Sequence, residues 1–279
     1  MSQNQDSAQV IIPAHDEGDW IADCLESLLA QDHAGPVDAI VVANGCTDDT
    51  AQRAARMAPG FHARGWRLRV EDLPQGGKTG ALNHADALAG PGPRIYLDAD
   101  IRMGQGLLAG IVAALAVPQP RYAGGRLQVA RADSAVSRHY ARFWQRLPFV
   151  AGNVTGAGLF AVNPAGRARW GWFPQIISDD TFARLNFSAA ERVLVDIPYE
   201  WPIAEGFDRL VRVRRRQDNG VAEIARMFPQ LLRNQGHDRP GRAELARLAL
   251  RDPAGFAVYS LVALAVRAGR NRQEWARGR

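Results

Sequence analysis

Residues 10–12 (VII) form a short β-branched run that stops at Pro13, and residues 20–30 then set Ile21, Leu25, Leu28 and Leu29 on one helical face. That order predicts strand, loop, helix. The unit recurs: residues 39–43 (AIVVA) read as a buried strand, 44–49 as a turn rich in capping residues, and 50–57 as a helix. Two such units in series predict a parallel sheet. Residues 66–71 alternate as a third strand and 79–88 as its helix, and 94–97 (RIYL) form a fourth strand that runs into Asp98-Ala99-Asp100. Beyond a helix at 106–116, strands are expected at 122–130 and 154–162 around an aromatic helix (HYARFWQRLPF), then a short capped helix at 178–186 and a strand at 192–197. The basic run VRVRRRQ alternates and reads as extended; helices follow at 221–234, 242–251 and 254–268. The expected class is α/β: a mostly parallel sheet flanked by helices, with a helical C-terminal extension.

Ligands of such sheets sit at the carboxyl ends of the strands, so loops 13–19, 44–49, 72–78 and 98–102 are where chemistry is expected. With 279 residues, 47 % of them hydrophobic, the chain has ample core material for one large domain or two small ones. Only residues 1–8, MSQNQDSA, read as a flexible tail. That tail lacks the basic-then-apolar order of a signal peptide, and no segment reaches the roughly 18 consecutive apolar residues of a membrane span. The two cysteines, Cys24 and Cys46, are too few for a disulfide framework and lack zinc-site spacing, so reduced thiols in a cytoplasmic protein are expected.

The net charge of +5 comes almost wholly from arginine and points to an anionic partner: nucleic acid, membrane surface or phosphorylated ligand. Nucleic acid loses support because the densest cluster, Arg212, Arg214, Arg215 and Arg216, has no stacking aromatics within it. On an extended segment, Arg212, Arg214 and Arg216 would share one side and suit a diphosphate. Residues 254–268 are mostly apolar and are bracketed by Arg251, Arg267, Arg270 and Arg272. Their length suits an interfacial or docking helix: either a peripheral contact at the inner face of an anionic plasma membrane, or packing on the rest of the chain or a second subunit.

Lys78, the only lysine, sits in QGGKTG, but a P-loop would need glycine where Asp72 stands, and no G-x-G-x-x-G follows the first strand. A compact, mobile point charge fits there where a planar guanidinium would not. Asp98 and Asp100 end a buried strand and can converge on one Mg²⁺ or Mn²⁺ that bridges to substrate phosphates; the alternative is a loop whose acids cap the next helix. Ser178-Asp179-Asp180 offers an N-cap and helix-dipole acids, with Arg184 one turn on as a partner for Asp180. That explains one acid better than two, and the other is a candidate general base.

Taken in order, VIIPAHDEGDWI, VVANGCTDDT, GGKTGALNHA, YLDAD, GAGLFAV, ISDD and RVRRRQDNG resemble the family 2 glycosyltransferases, across Val10 to Gly220 or about three quarters of the chain. The resemblance implies a Rossmann-like A-type glycosyltransferase fold, with a catalytic domain at 9–220 (nucleotide half 9–104, acceptor half 105–220) and an extension at 221–279. It implies that Pro13, His15, Glu17 and Asn44 line the nucleotide end of the donor site, Asn44 standing where many members carry a base-contacting acid. Lys78 matches the lysine of the G-K-x-x-A-L-N loop, and Asp98 and Asp100 match the D-x-D metal and diphosphate site. Asp180 matches the catalytic base of the E-D motif, with Asp179 in the glutamate position. Arg214 and Arg216 match the arginines of Q-R-x-R-W, whose glutamine and tryptophan are absent. The implied reaction is inverting transfer of a single sugar from a nucleotide-diphospho-sugar to a hydroxyl of a glycan, lipid-linked or small-molecule acceptor, aided by a divalent cation. A non-catalytic sugar-nucleotide binder of the same fold and a pyrophosphorylase are the alternatives.

Overall fold

In the computed structural model, residues 8–236 and 240–269 are described; of the tail expected at 1–8, residues 1–7 lie outside them with Arg270 and Arg272, and Ala8 instead opens the first strand. Strands β1 (Ala8–Ala14), β2 (Val37–Asn44), β3 (Arg67–Leu73) and β4 (Arg94–Leu97) pair in parallel, in the spatial order β3-β2-β1-β4. Every residue of β1 is buried, which is why it reads as a continuous apolar run rather than an alternation. Its pleat sorts the side chains. Val10 and Ile12 pack with Leu25 and Leu28 of α1 (Ile21–Leu29), whereas Ile11 packs with Ala81, Leu82 and Ala85 on the other face. Burying one such side chain fully stabilises by roughly 1.5–3 kcal/mol. Pro13 lies past the last β1 residue paired with β4, Ile11, so its missing N–H interrupts no ladder there.

The crossovers are α1, the pair α2 (Thr50–Arg56) and α3 (Ala58–Ala63), and α4 (Lys78–Leu88). The chain then makes β5 (Arg102–Met103), α5 (Leu107–Leu115), β6 (Tyr122–Val129), α6 (Ala135–Trp144), α7 (Pro148–Ala151), β7 (Leu159–Val162), α8 (Pro164–Arg167), α9 (Asp179–Leu185) and β8 (Arg192–Trp201). β7 is antiparallel to β4 and β6, β6 and β8 are parallel, and β5 closes the far edge, giving the eight-stranded order β3-β2-β1-β4-β7-β6-β8-β5. β8 extends through Pro198 because the ladder shifts register opposite Gly125 and Arg126. A proline is tolerated at such a bulge.

The last elements are α10 (Phe207–Met227), a 3₁₀ segment at Pro229–Asn234, α11 (Arg242–Arg251) and α12 (Pro253–Ala268). Leu210 and Val211 of α10 and Val262 and Val266 of α12 form a separate apolar cluster with Tyr140 of α6. This corrects the extended reading of the arginine run: residues 212–216 are helical, within α10, which also takes in the start of the helix expected at 221–234. Valine alternating with arginine imitates a strand, but the buried Leu210, Val211, Gly220 and Ile224 fit a helix that packs on two neighbours. The strand expected at 154–162 is confined to Leu159–Val162, since Gly156 and Gly158 take positive φ (81° and 73°) just before it.

Candidate active site

The carboxyl ends of β1, β2 and β4 and the N-terminus of α4 converge. α4 begins at Lys78 with no acid in its first turn, so a cation stands where the helix dipole disfavours one. What holds it there is a pair of carboxylates: Lys78 Nζ lies 2.8 Å from Asp98 Oδ1 and 3.3 Å from Asp179 Oδ1. Burial works against the ammonium, but Asp179 and Asp98 outweigh it and hold Lys78 well above its ordinary pKa. Asp179 is only 4 % exposed; burial pushes its carboxyl up to about 6 in spite of Lys78, and the charges of Asp180 and Asp98 add to the rise. Thus the helix start, the end of β4 and the start of α9 are tied by one side chain.

Asp179 and Asp180 stand in the first turn of α9, as the helix dipole favours. Ser178 makes no capping hydrogen bond, and its Oγ is pressed against Gly220 of α10, where an added Cβ would come within 2.1 Å of it. Glu223, one turn further along α10, accepts the N–H of Ile177 at 2.8 Å. The sequence reading missed both grips. Asp180 is half-buried, beside the positive-φ Gly156, whose added Cβ would sit 3.5 Å from Asp180 Cβ and 2.4 Å from Tyr122 Oη. Arg184 does not pair with Asp180: its guanidinium lies 5.3 Å from the centre of the Phe149 ring, buried.

Asp98 is about one-third exposed and Asp100 half-buried, on either side of the buried Ala99. Burial raises the pKa of the nearby Cys24 thiol, and the charges of Asp100, Asp98 and Glu17 add to the rise, so the thiol is inert. A partly exposed, all-oxygen donor set of this kind fits Mg²⁺ or Mn²⁺. Among the described residues the one group of three metal-compatible side chains whose ligand atoms lie within 4.8 Å of one another is elsewhere: Asp16, Cys46 and Asp48, in the first two loops. Its carboxylates are used locally: Asp16 accepts from Thr47 N and Oγ1, and Asp48 from Gly18 N and Thr50 N.

His15 Nδ1 donates to the Asn44 carbonyl at 2.6 Å, which fixes its tautomer, and Gly76 of the lysine loop packs on its ring. Pro13 is buried at the end of β1, and Glu17 N donates to Thr50 Oγ1 at 2.8 Å. Asn44 was expected at the base of the donor but is buried: its Nδ2 donates to Ala14 O and Val42 O, and its Oδ1 accepts the N–H of Gly77. It clamps the glycine loop to β1, one residue before Lys78. Arg214 and Arg216 are two residues apart on a helix, about 160° apart around it. Arg214 pairs with Asp218 at 3.0 Å and reaches Tyr140 Oη, away from Ser178, while Arg216 shares the Gly220 face one turn back. Burial opposes the Arg214 charge, and Tyr140, Tyr259 and Asp218 raise it above its usual value.

An α/β sheet with acids, a lysine and a helix N-terminus gathered at the carboxyl edge, extended by C-terminal helices, is the A-type glycosyltransferase architecture. A family model described as Glycosyl transferase family 2 matches residues 9–168, more than half of the chain, and the protein belongs to that family of glycosyltransferases. The mannosyltransferase PcManGT from Pyrobaculum calidifontis, solved with GDP-Man and Mn2+, is similar at a TM-score of 0.56 and 20 % identity, over 94 % of this chain and 75 % of that one. S. aureus TarS 1-349 with UDP-GlcNAc gives 0.55 and 17 % over 93 % and 81 %. Against a longer S. aureus TarS chain the match is 0.53 and 18 % over 75 % and 39 %. At such identities these likenesses show the fold alone. No curated protein matches the sequence.

Proposed function

We propose that the protein transfers a single sugar, with inversion, from a nucleotide-diphospho-sugar to an acceptor hydroxyl, and that the edge between Asp98 and Asp180 is where it does so. The observation that carries this is Lys78 bridging Asp98 and buried Asp179, with the half-buried Asp180 next to it. The N–H groups at the start of α4 and the Lys78 ammonium make an anion cradle for the diphosphate. Arg216 is the better-placed arginine of the run to assist; Arg214 is a structural residue of α10. Asp180 takes the proton from the acceptor hydroxyl as it attacks the anomeric carbon, and Asp179 holds Lys78 toward the leaving group. A divalent cation held by Asp98 and Asp100 would offset the negative charge that grows on the departing nucleoside diphosphate. PcManGT, similar in fold, is solved with Mn2+ and GDP-Man, in line with this reading.

His15, Pro13 and Glu17 border the nucleotide end, and Asn44 acts through the Gly77 amide as a positioning residue. No helix among the described residues is long and apolar enough to cross a membrane. α12 packs inward through Val262 and Val266, yet it exposes Leu261 and Leu264, and Leu250 of α11 is 81 % exposed. With Arg247, Arg251 and Arg267 close by in sequence, this face suits a peripheral contact with an anionic bilayer at the cytoplasmic side. The donor assignment is tested by thermal shift with nucleoside diphosphates and their sugars. One nucleotide should raise the melting temperature by several degrees at about a hundred times its Kd, and only with Mn²⁺ or Mg²⁺ present. A panel with no cation-dependent shift would sink the reading.

A further inference from the structure

β6 runs in the same direction as β4, because each is antiparallel to the β7 strand between them. Its C-terminal end therefore opens on the same edge as Asp98. Ile95 and Ala123 both pair with Ala161, so Val129 reaches beyond the level of Asp98 by three residues, roughly 10 Å, and stands two strands or roughly 10 Å to its side. There the structure has a cavity of about 320 Å³, between the end of β6 and the exposed side of α6, on the acceptor half of the molecule.

Four arginines line it: Arg131 after β6, and Arg138, Arg142 and Arg146 on α6. The last three are spaced i, i+4, i+8, an arrangement whose like-charge repulsion weakens an isolated helix. The compensation is small. Asp252, the N-cap of α12, accepts from Arg142 Nη2 at 2.6 Å and Nε at 2.7 Å, and from Arg146 Nη1 at 3.5 Å. Arg138 donates only to the carbonyls of Ala132 and Asp133, and Arg131 has no hydrogen bond or ion pair among the described residues. Among the described residues Asp252 is thus the one carboxylate ion-paired with these four guanidiniums. The nearby Glu205 carboxylate is taken up by the N–H groups of Asp133 and Ser134 at the start of α6.

The cleft is also held in shape without a ligand. Gln145 accepts the N–H of Val129 at 2.8 Å, fastening α6 to the end of β6, and buried Ser137 bonds both Ala204 O and Gly206 N. Arg138 is held on the Ala132 and Asp133 carbonyls and Arg142 on Asp252, and planar guanidiniums match the paired oxygens of a phosphate. Resting on the transferase reading above, we propose that this arginine cleft binds the phosphate group of the acceptor, a phosphate ester whose free hydroxyl then lies toward Asp180. The ester is either a soluble molecule or a lipid headgroup.

Arg131→Gln/Arg138→Gln is the informative variant, since it orphans no carboxylate and leaves the Asp252 pairs intact. Binding of inorganic phosphate is titrated calorimetrically in 150 mM chloride without divalent cation, on wild type and variant with equal melting temperatures. The variant is expected to lose at least tenfold in phosphate affinity; equal affinities would overturn the proposal. Co-sedimentation with vesicles of phosphatidic acid in phosphatidylcholine separates the sources. Loss of vesicle binding with loss of phosphate binding supports a lipid phosphate, and unchanged vesicle binding with loss of phosphate binding supports a soluble ester. Mn²⁺-dependent nucleoside diphosphate binding, measured in parallel, should be the same in both proteins; its absence from wild type would count against the transferase reading and leave the phosphate result standing.

Discussion

Asp180→Asn is expected to lower sugar transfer by about 10²- to 10⁴-fold, the usual contribution of a general base, while leaving the affinity for the donor nucleotide within a factor of about three. One Asp180 oxygen accepts the N–H of Thr181 at 2.6 Å, and the other has no hydrogen bond among the described residues. The amide keeps that local bond and the shape, and removes only the basic oxygen that faces the acceptor. Lys78, Asp98 and the start of α4 are untouched, so the donor should still bind. Steady-state transfer rates beside calorimetric nucleotide affinity check both halves. A variant that turns over within threefold of wild type would show that Asp180 is not the base.

Lys78→Met should have the second large effect, and it should be visible in stability as well as in donor binding. Asp179 is buried beside two other acids, with Lys78 its only cationic ion-pair partner among the described residues. Breaking a fully buried pair destabilises by about 3–5 kcal/mol. The Lys78 side chain is 36 % exposed, so solvent screens part of that, and roughly 1–3 kcal/mol is expected. The pH dependence gives the sign. A carboxyl raised from 3.8 to about 6 favours the protonated native state, so its contribution to stability falls as pH rises from about 4 to 6 and is level above that.

Without Lys78 the folded-state value moves higher, and stability should go on falling between pH 6 and 8, measured by urea unfolding. Asp179→Asn, which imitates the protonated acid and cannot titrate, should flatten the profile between pH 4 and 6. A Lys78→Met profile that stays level above pH 6 would mean that Lys78 does not govern Asp179. Lys78→Arg keeps the charge, and full donor affinity in it would show that the preference for lysine has no chemical meaning.

Strands β1, β2 and β4 were legible because they are buried on both faces and so read as short apolar runs between turn residues, whereas the largely uncovered edge strand β3 was legible from its alternation. Asp98, Asp100 and Lys78 were legible because they fall at carboxyl ends of such strands or on the helix that follows. Asn44 came to the nucleotide end only through the resemblance, and the burial that its bonds to Ala14 O and Gly77 N reveal depends on how two loops meet, which the sequence does not show. The arginine run deceived for a different reason. Its alternation with valine has the period of a strand, and the packing of Gly220 on Ser178 that fixes it as helix joins residues 42 positions apart.

The roles of Glu223 and of the arginine cleft were equally invisible, since each depends on which elements meet. Arg131 and Arg138 come together with the Asp252 pairs only after α6 is fastened to β6 and α12 to α6. Gly156 and Gly158 were quoted within a strand, yet their left-handed conformations make the bend that brings the loop against Asp180 and Ile101.

The most direct test is release of nucleoside diphosphate from the nucleotide sugar that binds, followed in wild type and in Asp98→Asn/Asp100→Asn. Wild type should release it with acceptor present, stop on chelation, recover with Mn²⁺ or Mg²⁺, and be at least a hundredfold faster than the double variant. Release that survives chelation and both substitutions, or none from any nucleotide sugar that binds, would contradict the assignment of this edge as the transfer site.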